Sequence, residues 1–104
     1  PVVRVRHVAA PEPGHLALVT YTGGSTGEPL PQRKTWAMLR DATAVNLAHY
    51  LPPGPGPVSV VATVPSQHFY GLETTALAAL RGPVAIGAGM PLYPADVAAA
   101  LAAV

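Results

Sequence analysis

The 104-residue chain is 50% hydrophobic and 11% charged, with formal net charge +1 and no cysteine. This length holds one domain with a modest core, and the missing cysteine excludes disulfides, iron–sulfur clusters, thiolate zinc sites and cysteine nucleophiles. The near-neutral balance leaves no basic stripe for nucleic acid, and the longest apolar run, residues 97–104, falls far short of the ~20 residues of a membrane span.

Residues 1–14 predict an edge segment and linker. Val2, Val3 and Val5 alternate with Arg4 and Arg6, and the cluster APEPG at 10–14 breaks regular structure. No charged region precedes an apolar core, so the segment does not read as a signal peptide. Residues 15–21 (HLALVTY) predict a buried strand. Residues 22–31 (TGGSTGEPLP) predict a loop. Thr35 then opens and caps a helix whose apolar face is Met38, Leu39, Ala42, Val45 and Leu47. The run LPPGPGP at 51–57 ends it, because proline forbids continuation.

Residues 58–64 (VSVVATV) predict a second strand, β-branched almost throughout. An exit loop at 65–71 leads to a helix over 72–80, which Gly82 is expected to stop in a left-handed cap. A short third strand follows at 83–86, then a loop, then a helix over 95–104 with Asp96 in its first turn. This alternation predicts an α/β fold of parallel βαβ units. The last helix, VAAALAAV, is apolar all round and is therefore expected to be buried all round. From that we expect the chain to be a segment of a longer protein.

The sharpest chemical feature is Thr22-Gly23-Gly24-Ser25-Thr26-Gly27. Its glycines allow tight turning and close ligand approach. Its hydroxyls donate hydrogen bonds, and successive backbone N–H groups in such a loop make an anion nest. A Walker A loop is excluded because Glu28 and Pro29 follow Gly27. A dinucleotide fingerprint is excluded because position 22 is Thr. From composition alone a flexible connector and a phosphate cradle are equally good readings.

Residues 21–29 resemble the phosphate-binding loop of the adenylate-forming superfamily, whose pattern is roughly Y-T-S-G-[ST]-T-G-x-P-K. Tyr21, Thr22, Gly24, Ser25, Thr26, Gly27 and Pro29 match; Gly23 replaces a serine and Leu30 a lysine. That family also places Thr-His at the start of the next helix. Here Thr35 matches and Trp36 replaces the histidine. Residues 64–72 (VPSQHFYGL) resemble the family's next core segment, a proline, then a histidine, then aromatic-Gly-Leu. The likeness covers residues 15–104 and is nearest in style to acyl- and aryl-CoA synthetases.

The resemblance implies part of a large N-terminal adenylation domain. It implies an ATP-dependent ligase that joins a small carboxylic acid to AMP, with CoA or a carrier thiol as acceptor and cytoplasmic residence. Thr22, Gly23, Gly24, Ser25, Thr26 and Gly27 are the implied phosphate-holding residues, with Mg2+ accompanying the nucleotide. Leu30 leaves the loop without its lysine, and whether Arg33 or Lys34 replaces it is left open by the sequence. His68 and Gly71 are the implied substrate-pocket residues. The family's later aromatic-Gly-x-Thr-Glu motif, its ribose-binding aspartate and its catalytic lysine are not among these residues. No catalytic residue is therefore assigned, and the chain alone is expected to be inactive, with the rest of the domain as its implied partner. The alternative is a non-catalytic or degenerate nucleotide-binding module.

The remaining candidates read as structural. His7, His15 and His49 lack metal-ligand spacing. Trp36, Phe69 and Tyr70 read as packing residues, and Glu28 as solvent-facing. Glu73 suits a helix dipole, and Arg33, Lys34 and Arg40 make a solvated basic face.

Overall fold

The computed structural model describes residues 10–23, 27–54 and 56–104. The edge strand expected within 1–9 and the loop centre, Gly24, Ser25 and Thr26, lie outside these residues. The chain divides into two compact units, Pro1–Met38 and Leu39–Val104.

The first unit is a hairpin leading into a helix. Strand β1 (Leu16–Thr22) pairs antiparallel with β2 (Leu30–Thr35), in register from Thr22 opposite Leu30 to Leu18 opposite Lys34, with an irregularity between Leu18 and Leu16, which stands opposite Thr35. The second strand corrects the expectation that a loop continues to Pro31. LPQRKT carries neither β-branched alternation nor an apolar face, so no periodic signal marks it. Pro31 has no N–H to give a ladder, but a two-stranded ribbon is all edge and tolerates it. β1 is also not the buried strand its composition predicts. Leu16, Val19 and Tyr21 are exposed, Tyr21 by 67%, because a two-stranded ribbon cannot cover both of its faces.

The hairpin end builds the start of helix α1 (Trp36–Tyr50). A helix leaves its first N–H groups without internal partners. Here the Trp36 amide donates to the His15 carbonyl at 3.2 Å, and that of Ala37 to Pro13 at 2.8 Å. The Met38 amide donates to Thr35 Oγ1 at 3.3 Å, as the capping role expected of Thr35 requires. Trp36 remains 39% exposed and is not the anchor its size suggested.

In the second unit the buried residues of α1 are Leu39 and Thr43. Of the expected apolar face, Ala42 and Leu47 are half-buried, while Met38 (in the first unit) and Val45 are exposed. The helix gives way to the proline-glycine run, where Gly56 takes φ 115°, a conformation that favours glycine. Strand β3 (Val58–Val60) then pairs in parallel with β4 (Val84–Ile86), Val58 opposite Val84 and Val60 opposite Ile86. Bonds from Val58 N to Pro83 O (2.7 Å) and from Gly87 N to Val60 O (2.9 Å) extend the ladder. β3 stops short of the expected Val64 because its partner is itself only three residues long.

The crossover between them is helical: α2 (Phe69–Leu72), a π-helical segment (Glu73–Leu77) and α3 (Ala78–Arg81). One βαβ unit is therefore present, and the fold is mixed α/β: one parallel pair, one antiparallel pair. Gly82 is extended (φ −137°, ψ 174°), not left-handed. Its smallness serves packing instead, since a Cβ there would lie 3.0 Å from both methyl carbons of Leu47. Helix α4 (Pro94–Ala102) opens on proline at its first turn. None of its residues is buried, and Val97 and Ala100 are half-buried; the elements of this chain do not supply the all-round cover that so apolar a helix calls for. Leu39 and Ala78 are the buried hydrophobics among the described residues, and Thr43 and Thr75 the buried polar ones.

Candidate functional site

The glycine run joins the two strands at the turn end of the hairpin. Thr22 and Leu30, the last paired residues, form its mouth, and Thr22 Oγ1 donates to the Leu30 carbonyl at 3.5 Å. The strands thus fix both ends of the connection over 23–29, and Gly23, Gly27, Glu28 and Pro29 lie outside the ladder. Gly23 and Gly27 flank the undescribed centre and are exposed. Neither has a left-handed φ, and among the described residues no atom beyond the chain neighbours lies within 4 Å of where a Cβ would stand. Neither the backbone conformation nor the local packing requires glycine at these two positions. What glycine leaves there is open approach to the backbone.

The cationic residues sit farther down the ribbon. Arg33 pairs with Val19 and Lys34 with Leu18, three and four residues from Leu30. At ~3.4 Å per residue, Arg33 is ~10 Å along the strand from the mouth. Glu28 is exposed, as expected. In the second unit Arg40 donates from Nε to Asp41 Oδ1 at 2.8 Å. That bond raises the guanidinium's pKa and, with a weaker contribution from Arg81, holds the Asp41 carboxyl below the usual range. Arg40 is thus an ion-pair partner on an exposed face.

His68 and Gly71 meet at the start of α2, in the second unit. His68 is exposed and extended (φ −81°, ψ 138°), and its side chain makes no capping bond. Its backbone N–H donates to the Pro65 carbonyl at 3.0 Å. Gly71 is buried against the same peptide: an added Cβ would overlap Pro65 O and lie 2.7 Å from Pro65 C and 2.8 Å from Val64 O. The Gly71 carbonyl accepts from Thr75 Oγ1. Gly71 therefore lets the helix start close onto the strand exit. Phe69 is half-buried, whereas Tyr70 is 58% exposed.

Sequence reasoning did not find a cavity of about 150 Å³ in the second unit, between the end of α1 and the π segment. Tyr50, Tyr70, Glu73 and Thr74 line it together with aliphatic side chains. Tyr70, Glu73 and Thr74 fall at i, i+3 and i+4, the spacing that puts side chains on one helix face, and that spacing is the signal that was available. A second cavity of about 190 Å³ lies along residues 60–64. Among the described residues no group of acidic or imidazole side chains can hold a metal ion, and no helix is long and apolar enough to cross a membrane.

No family model, curated protein or solved structure matches this chain.

Proposed function

We propose that the chain is the phosphate-loop segment of an ATP-dependent, carboxylate-activating ligase, contributing ATP binding to acyl-adenylate formation and, through CoA or a carrier thiol, to thioester formation. The observation that carries this is the setting of the loop. A run resembling the adenylate-forming phosphate loop spans two paired strands, with Gly23 and Gly27 open to approach. A helix capped by Thr35 follows directly, at the residue where the resemblance puts a helix start. The backbone N–H groups and hydroxyls of Thr22, Gly23, Gly24, Ser25, Thr26 and Gly27 donate to the β- and γ-phosphate oxygens. Bound Mg2+ neutralises phosphate charge that this loop, lacking its lysine, does not. His68 and Gly71 belong to the carboxylate pocket in this reading.

Leu30 in place of lysine favours a second reading, a nucleotide-binding module without turnover. The two part on catalysis by the full reading frame that encodes this chain: carboxylate-dependent pyrophosphate exchange supports the ligase, and nucleotide binding without exchange supports the module. For binding itself, an amide-resolved NMR titration of the 104-residue chain with MgATP and with adenosine is the test. Saturable shifts at residues 22–27 with MgATP, absent with adenosine, are expected. Shifts confined to other residues, or equal responses to both, would contradict phosphate recognition.

A further inference from the structure

The cavity between α1 and the π segment has a chemistry of its own, independent of the phosphate loop. Its walls are largely apolar, from Leu47, Leu51, Val60, Ala78 and Val84. Among the polar groups of its lining residues the one formal charge is negative. Glu73 presents a carboxylate, and among the described residues it has no ion-pair partner. Thr74 Oγ1 gives its proton to the Tyr70 carbonyl at 2.9 Å, so its oxygen keeps lone pairs free to accept. Tyr50 and Tyr70 add aromatic rings, whose faces are electron-rich. Asn46 contributes an amide, which can accept through its carbonyl. No Lys, Arg or His lines the cavity.

A carboxylate-bearing residue without an ion-pair partner among the described residues, in the wall of a largely apolar hollow with no cationic lining residue, favours a donor-rich cation on an apolar body. Size sets the scale of that body, because a cavity of about 150 Å³ accommodates a benzene-sized group. The helix also carries its π-helical segment here, with Glu73 and Thr74 as the segment's first two residues. Such segments interrupt α-helices frequently at functional sites.

We propose that this cavity binds a small primary organic ammonium, with Glu73 and the Thr74 hydroxyl accepting from the ammonium and Tyr50 and Tyr70 flanking its apolar part. The probe is benzylammonium chloride, with benzyl alcohol as its uncharged counterpart, titrated into the 104-residue chain and followed by amide NMR. Saturable shifts are expected at Tyr50, Tyr70, Glu73 and Thr74. Benzyl alcohol should bind about tenfold more weakly, and Glu73→Gln should remove about tenfold of the benzylammonium affinity while leaving that for benzyl alcohol unchanged. Equal affinities for the two probes in the unmutated chain, or no saturable shift at these residues, would overturn the proposal. So would a folded Glu73→Gln variant that binds benzylammonium as before. The comparison of the two probes decides the matter even where the variant fails to fold.

Discussion

Gly71 and Pro65 are packed backbone to backbone: the space for a Cβ on Gly71 is already filled by the Pro65 peptide, whose carbon would lie 2.7 Å away. Backbone cannot swing aside as a side-chain tip can. Gly71→Ala should therefore destabilise the chain by about 1–3 kcal/mol, the usual cost of overpacking. Gly82→Ala is the control. The atoms it would meet, at 3.0 Å, are the methyls at the tip of Leu47. Gly82→Ala should cost clearly less, and urea denaturation of the two variants compares them directly. Equal costs would show that the Pro65 contact is not what restricts position 71.

Thr43 is 1% exposed and its Oγ1 has no hydrogen-bond partner among the described residues. A buried, unpaired hydroxyl costs about 1–3 kcal/mol, and removing it at constant shape recovers much of that. Thr43→Val should raise stability by about 1 kcal/mol. A loss on thermal melting would mean that the hydroxyl has a partner in solution.

The helix start can be tested at Thr35. Thr35→Ala removes the acceptor for the Met38 amide and should cost about 1 kcal/mol. Hydrogen exchange should speed up most at Met38, since Trp36 and Ala37 keep their bonds to His15 and Pro13.

The Arg40–Asp41 pair sets a small acid dependence. The bond lowers the Asp41 pKa in the folded chain, so its contribution is present above the ordinary carboxylate range and is lost as pH falls through the lowered value. Both side chains are exposed, so salt weakens the pair. Arg40→Gln should shift the Asp41 titration, followed by carboxyl-carbon NMR, upward. No movement would place the cause elsewhere.

Much of the second unit was legible in the amino-acid order. The proline-glycine punctuation at 51–57 and the β-branched run from Val58 located α1's end and β3. Val84–Ile86 and the helical crossover followed from spacing. Strand β2 was not legible, because LPQRKT is polar and carries a proline, and only pairing with β1 makes it a strand. Thr43 was missed for a similar reason: a polar residue at a buried helix position breaks the apolar pattern that marks the core. For α4 the apolar composition called for cover that the elements of this chain do not supply, and its exposure here agrees with that. Of the candidate site, position was legible and geometry was not. Motif order located the loop and its capped helix, but no pattern foretold that two strands would hold the loop's ends. Gly71 was marked only by the motif, and the Pro65 peptide that crowds it was not readable.

The affinity of MgATP for the chain and for its Gly27→Val variant tests the phosphate-loop assignment most directly. Among the described residues no atom beyond its chain neighbours lies within 4 Å of a Cβ at Gly27 and its φ is ordinary, so the substitution is expected to leave the fold intact and to act on the approach of a ligand. The account predicts saturable binding, weakened about tenfold or more by Gly27→Val, with an unchanged melting temperature of the free chain. Equal affinity in the two proteins, or no MgATP binding by the unmutated chain, would contradict it.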